Sequence, residues 1–114
     1  MTDCLFCSIV SGAIPADIVL RTDEVVAFRD INPAAPVHVL VIPVEHHATA
    51  AELGAANPTA AAAVLAAAGE VATREGIAES GYRMVFNSGA GAGQTVFHAH
   101  VHVMGGRDLT WPPG

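Results

Sequence analysis

Phe97-His98-Ala99-His100-Val101-His102-Val103-Met104 sets three histidines at strict alternation inside an apolar run. A period of two is the side-chain period of a strand. The run therefore predicts a strand with His98, His100 and His102 on one face and Ala99, Val101 and Val103 on the other. Alternate imidazoles on such a face stand roughly 7 Å apart. A lone strand histidine often satisfies a buried carbonyl, but three in phase make poor core material. Groups placed this way bind a metal, attack an electrophile or cradle a phosphate.

The rest of the chain narrows those choices. A length of 114 residues suits one domain, spanning 1–114, and one small enough to gain from dimerisation. Only 14% of residues are charged against 52% apolar, a lean polar surface that points to a buried subunit interface as well as a core. The net charge is −6 and there is no lysine, which argues against a nucleic-acid partner. A phosphate would have to be held locally, by backbone N–H groups and imidazoles, so a small anionic ligand is favoured over a polymer. No run approaches a membrane span and no basic region precedes an apolar one at the N-terminus, so no membrane partner is expected. The expected location is cytoplasmic.

Periodicity and turn chemistry predict an α+β fold with a five-stranded antiparallel sheet, one short helix and one long one. Residues 4–12 read as the short helix, ended by Gly12. Ile18–Arg21 and Val25–Phe28 read as strands joined by a hairpin turn at 22–24. After the turn-rich loop Asp30–Pro36, Val37–Ile42 has the pattern of a central strand, stopped by Pro43. Asn57-Pro58 suits the start of the long helix, whose Ala-rich body runs from Thr59 to Glu75 before Gly76. Its small residues permit close approach of the sheet or of a partner helix. Tyr82–Asn87 and Val96–Met104 complete the sheet, separated by the loop Ser88–Gly93.

The stretch from Gly93 to Met104 resembles the motif of the histidine triad (HIT) family, in which three histidines alternate with apolar residues. The tail Gly105–Gly114, with Trp111-Pro112-Pro113-Gly114, is similar to the end of its Hint branch, the purine nucleoside phosphoramidases. Phe6, Ile14-Pro15, Phe28–Ile31, Pro36–Pro43 and Asn87 match as well, so the resemblance covers nearly the whole chain. It implies a homodimeric HIT-like fold. It also implies hydrolysis of purine nucleoside 5′-phosphoramidates, aminoacyl adenylates included, through a nucleotidyl-histidine intermediate, with AMP or GMP as product. His100 would be the nucleophile, with its other nitrogen held by a backbone carbonyl. His38 and His102 would contact the non-bridging oxygens, helped by loop N–H groups of Gly93 and Gln94. Thr95 stands where the branch usually carries Ser, beside the leaving amine. Asp30 would bind the ribose diol, and Asn87 lies at a position near the phosphate. Leu5, Phe6, Ile9, Phe28, Ile31 and Leu40 would serve the base, although Leu, Ile and Phe also simply fill cores. The tail with Trp111 would shape substrate choice in the partner subunit's site.

Cys4-Leu5-Phe6-Cys7 suggests metal or redox chemistry more than a structural disulfide in a cytosolic chain. No strand feeds the pair as in thioredoxin. A closed zinc site needs four N or S ligands, so two histidines must complete one. Some bacterial members of the family hold a structural Zn²⁺ with such a pair, and the matching positions here are His46 and His98. Two rival functions remain: a dinucleoside polyphosphate hydrolase, and a zinc-dependent nucleotide-binding module with little turnover.

Overall fold

The computed structural model describes residues 4–114, so the first three positions of the expected 1–114 domain lie outside the described residues. Its elements run α1 (Leu5–Ser11), β1 (Ile18–Arg21), β2 (Val25–Arg29), β3 (Val37–Pro43), α2 (Ala50–Ala56), α3 (Pro58–Arg74), β4 (Tyr82–Val85) and β5 (Val101–Gly105), with a 3₁₀ turn at Ala90–Ala92. The five strands form one antiparallel sheet in the order β1-β2-β3-β5-β4. The α+β architecture and the antiparallel sheet are as the sequence predicts.

Local chemistry explains the helix ends. The Cys4 sulfur accepts from the Cys7 N–H at 3.4 Å to start α1, and Gly12 closes it in the left-handed conformation at φ +84°. Asn57 starts α3 by accepting from the Ala60 N–H at 3.1 Å, with Pro58 at the first position. The same Asn57 donates its N–H back to Leu53, so it also ends α2. Among the described residues three α-helices stand where the sequence pattern predicts two, α2 being the addition. Thr49 accepts from the Glu52 N–H at 3.2 Å, a Thr-x-x-Glu capping pattern on a segment of only seven residues.

Each face of the sheet has its own core. On one, Val25, Ala27, Val39, Val41, Ala99, Val101 and Val103 pack against Val64, Val71 and the alanines of α3. Ala60, Ala67, Ala68 and Ala72 are buried there, so the small residues serve close approach of α3 to the sheet. On the other face, Phe6 and Ile9 of α1 pack against Val26, Phe28, Leu40 and Ile42. β2 is consequently apolar on both sides.

The histidine-bearing strand is shorter than its sequence pattern. The ladder begins at Val101, opposite Val41, and residues 96–100 run up to it without regular strand structure. The reason lies across the sheet. β3 ends at Pro43, which has no N–H to donate. The backbone groups of 98–100 are committed elsewhere: the Ala99 N–H donates to the His47 carbonyl at 2.6 Å, and the His98 carbonyl accepts from the His100 ring. β4 likewise stops at Val85 rather than Asn87, while β2 and β3 each run one residue further than predicted.

Candidate active site and metal centre

The alternation still places the histidines on one face, the α1 side. His102 lies opposite Leu40 and His38 opposite Met104, so His38 and His102 are diagonal neighbours across β3 and β5. The rings form a chain of contacts: Phe6 to His100 at 5.0 Å between centroids, His100 to His102 at 5.0 Å, and His102 to His38 at 5.2 Å. Phe6 also meets Phe28 edge-on at 5.4 Å.

Backbone groups decide which ring nitrogen carries each proton. His100 Nδ1 lies 2.7 Å from the His98 carbonyl, which can only accept, so Nδ1 carries the hydrogen. Nε2 then keeps its lone pair and makes no hydrogen bond among the described residues. At 8% exposure the ring is sheltered without being sealed. His98 has the opposite arrangement. Its Nε2–H donates to the Pro43 carbonyl at 2.8 Å, leaving Nδ1 with the lone pair. Burial is the main cause that holds the His98 imidazole below its ordinary pKa, and the neighbouring histidines add to it.

His38 is set by a backbone donor. The Ala34 N–H reaches His38 Nδ1 at 2.9 Å, which makes Nδ1 the acceptor and puts the proton on Nε2. That Nε2–H faces His102 Nδ1 at 2.9 Å and Asp30 Oδ2 at 3.4 Å. His102 Nδ1 is therefore an acceptor, and its own proton sits on Nε2. Both ring nitrogens of His38 are engaged within the protein, Nδ1 with Ala34 and Nε2 with His102 and Asp30. Burial, then the charges of His100 and His38, push His102 down to about 4, with Asp30 acting in the other direction.

Two clusters have metal-ligand composition, and the tautomers separate them. Cys4 Sγ, Cys7 Sγ, His46 Nδ1 and His98 Nδ1 all lie within 4.8 Å of one another. Cys4 Sγ and Cys7 Sγ stand 3.4 and 3.5 Å from His98 Nδ1, Cys7 Sγ stands 3.4 Å from His46 Nδ1, and the two Nδ1 atoms are 3.1 Å apart. Tetrahedral zinc bonds of about 2.3 Å to sulfur and about 2.0 Å to nitrogen imply ligand separations of about 3.3–3.8 Å. The quartet fits that ion, and the Pro43 carbonyl supplies the outer hydrogen bond that a ligating histidine usually has. Asp30, His38 and His102 are equally close. There His38 presents an N–H toward the centre rather than a lone pair, so a hydrogen-bonded relay describes the group better than a metal site.

The apolar residues expected around a base divide. Phe6, Ile9, Phe28 and Leu40 are buried together beside the histidines. Leu5 lies on the open side of α1, and Ile31 and Trp111 stand largely in solvent, outside that cluster. Asp30 is half-buried, with Oδ1 accepting from the Asn32 N–H at 2.8 Å. Asn87 is half-buried beyond β4, and Thr95 is exposed.

Gln94 and Gly93 depart from expectation. The Gln94 side chain is buried and works as a brace: its amide donates to the Ala48 and Val96 carbonyls at 2.7 and 3.0 Å and accepts from the Gly89 N–H at 2.8 Å. The Gly93 and Gln94 N–H groups donate to the Ala90 and Gly89 carbonyls, so they close the loop instead of facing a ligand. His47, beside His46, pairs with Glu45 and thereby lowers the Glu45 pKa. The residue that sequence reasoning left aside is Arg107, which donates to the Ala34 carbonyl at 3.1 Å.

This fold and histidine arrangement are those of a family. The HIT domain matches residues 11–109, and the chain belongs to the HIT family. It is 43% identical to the purine nucleoside phosphoramidase of Escherichia coli K12 over 105 residues, covering 92% of this chain and 88% of that one. It is 46% identical over 112 residues to an uncharacterized HIT-like protein of Synechococcus elongatus, covering 98% and 97%. Among solved structures, a HIT family hydrolase from Legionella pneumophila superposes with a TM-score of 0.94 at 47% identity, over 98% of this chain and all of that one. A histidine triad protein from Clostridium difficile gives 0.90 at 34% identity, over 96% of each. These likenesses support a nucleotide hydrolase activity. Among the described residues no helix is long and apolar enough to cross a membrane.

Proposed function

We propose that the protein is a purine nucleoside phosphoramidase working through a nucleotidyl-histidine intermediate. The observation that carries this reading is the His100 ring, held by the His98 carbonyl at 2.7 Å so that Nε2 offers a lone pair. An imidazole that offers the Nε2 lone pair in this way is a nucleophile. Nε2 attacks the α-phosphorus, the P–N bond breaks, and the amine leaves with a proton supplied from the Thr95 hydroxyl or from water. In an aminoacyl adenylate the bond broken is P–O. Water then attacks the phosphorus, the bond to His100 breaks, and the nucleoside monophosphate departs.

The remaining residues divide the substrate between them. His102 directs Nε2–H at a non-bridging oxygen and stabilises charge that builds in the transition state. His38 fixes that tautomer. Asp30 accepts from the ribose hydroxyls, and Phe6, Ile9, Phe28 and Leu40 provide an apolar wall for a purine, with Leu5 and Ile31 at its rim. Gly93 and Gln94 shape the loop that carries Thr95, and Asn87 borders the phosphate. A Zn²⁺ on Cys4, Cys7, His46 and His98 would tie α1 to the start of the histidine segment and has a structural role. One domain per chain, a homodimer in which Trp111 reaches the partner's site, and a cytoplasmic setting complete the reading.

The test compares kcat/KM for adenosine 5′-phosphoramidate with that for a diadenosine polyphosphate. Preference for the phosphoramidate by tenfold or more supports the assignment. The reverse preference makes the protein a dinucleoside polyphosphate hydrolase, and turnover of neither leaves a binding module.

A further inference from the structure

Arg107 lies in the C-terminal tail, exposed and away from the histidines, yet it is bonded into the line that orders them. Its guanidinium donates to the Ala34 carbonyl at 3.1 Å and to the Asp108 carbonyl at 3.0 Å. From Ala34 the line continues through its N–H to His38 Nδ1 at 2.9 Å, and from His38 Nε2 to His102 Nδ1 at 2.9 Å. The chain crossing that makes this possible is tight. Gly106 has φ +90°, and a Cβ there would stand 2.9 Å from Pro36 Cβ. The tail is thus laid directly against the 30–36 loop, and residue 107 emerges on Ala34.

We propose that Arg107 is a positioning residue for the reaction, acting through Ala34 and His38 to keep the His102 proton on Nε2. Ala34 sits in a loop with no helix or strand to hold it, between Pro33 and the buried Ala35. Its N–H, in the 33–34 peptide, can select the His38 tautomer only if the residue stays in place, and the guanidinium holds the carbonyl of the adjoining 34–35 peptide on the other side of the Ala34 Cα. Without the clamp the N–H swings off His38 Nδ1. The His38 proton is then free to occupy either nitrogen, and His102 receives a donor or an acceptor at its Nδ1 in turn. Each time His102 carries its proton on Nδ1, Nε2 becomes a lone pair aimed at an anionic oxygen, and a stabilising bond becomes a repulsive contact. The inference rests on the phosphoramidase reading for its kinetic consequence, but its tautomer statement concerns the protein without substrate.

The experiment uses the full chain, ¹⁵N-labelled, and reads the His102 ring nitrogens by long-range ¹H–¹⁵N correlation, with the signals assigned by their loss in His102→Gln. Wild type should show one tautomer protonated on Nε2. Arg107→Met should show averaged Nε2 and Nδ1 shifts, with kcat for the phosphoramidate roughly tenfold lower and KM within about twofold, because the lost interaction belongs to the transition state. Arg107→Lys, which keeps a donor within reach of Ala34, should recover most of both readouts. Arg74→Met removes another exposed arginine bonded to a backbone carbonyl, that of Val19 at 3.2 Å, and should move neither. An unchanged His102 tautomer in Arg107→Met overturns the proposal whatever happens to activity. A shifted tautomer with unchanged kcat on a substrate the wild type turns over overturns it too. Should the wild type turn over no phosphoramidate, the function reading fails while the tautomer shift still decides the positioning role.

Discussion

His38 Nε2 and His102 Nδ1 face each other at 2.9 Å from adjacent strands, and the direction of that hydrogen bond is set by a third group, the Ala34 N–H. A similar rule governs His100, whose proton is fixed by the His98 carbonyl. The histidines do not choose their tautomers among themselves. Main-chain groups at the two ends choose for them, and the result is one ring with an open lone pair next to one with an outward N–H.

His100→Ala should reduce turnover of adenosine 5′-phosphoramidate at least a thousandfold, since neither His38 nor His102, its neighbours in the row, has an uncommitted lone pair to take over the attack. AMP affinity by calorimetry should change only a few-fold, because the apolar wall and Asp30 are untouched. Turnover within tenfold of wild type would remove His100 from the nucleophile's role.

Stability should fall on acidification through the range set by His102. Its folded pKa is about 4 against 6.5 for an unperturbed histidine. Between those values the unfolded chain takes up a proton that the folded one refuses, so stability is complete above about pH 6.5 and declines toward pH 4. His98, also lowered, contributes in the same direction. Urea midpoints at half-unit intervals should show a shallower acid decline for His102→Gln than for wild type. Parallel curves would contradict the placement of a neutral His102.

Cys4→Ser combined with Cys7→Ser should abolish zinc retention and lower the Tm by several degrees, while P–N cleavage continues at permissive temperature. Elemental analysis of protein purified without chelators should give one zinc per wild-type chain. Acid should release the ion as thiolates and imidazoles take up protons. Near-zero zinc with undiminished stability would make the cysteines ordinary packing residues.

Sedimentation at micromolar concentration should give twice the chain mass of 11.7 kDa. β4 has a neighbour on one side only, and Leu65, Met84 and Phe97 are each more than 40% exposed. A stable, fully active monomer would refute the dimer.

Gly105→Ala should destabilise the fold by about 1–3 kcal/mol, the usual cost of overpacking. A Cβ at that position would stand 2.8 Å from Ile77 Cδ1 and 3.2 Å from the Gly81 carbonyl. Thermal unfolding of the variant measures it directly, and an unchanged Tm would mean that Ile77 yields freely.

What could be read in the sequence was whatever depends on local pattern. The alternation at 98–103 assigns faces, Asn57-Pro58 starts α3, and Gly12 ends α1. Helix α2 escaped because its Thr49–Glu52 cap precedes a run interrupted by Gly54, too short for periodicity to register. The early end of the β5 ladder depends on Pro43 in another strand, and no property of residues 96–100 announces it. Among the candidate residues, the spacing of Cys4 and Cys7 suggests a metal, and the family resemblance supplies His46 and His98 as the partners that the structure brings to them. The tautomer of His38 and the brace formed by Gln94 depend on which carbonyl or N–H lies within 3 Å, which spacing along the chain does not encode.

The acceptor that orients His100 is the backbone of His98, whose side chain belongs separately to the cluster of Cys4, Cys7 and His46. No codon change can delete a carbonyl. Substitutions at position 98 alter the anchoring of that peptide but never remove the oxygen itself. The part of the arrangement most exposed to genetic drift is therefore the outer support, and a lineage that lost the cysteines would keep the orientation of the His100 ring so long as some other packing held residue 98 in place.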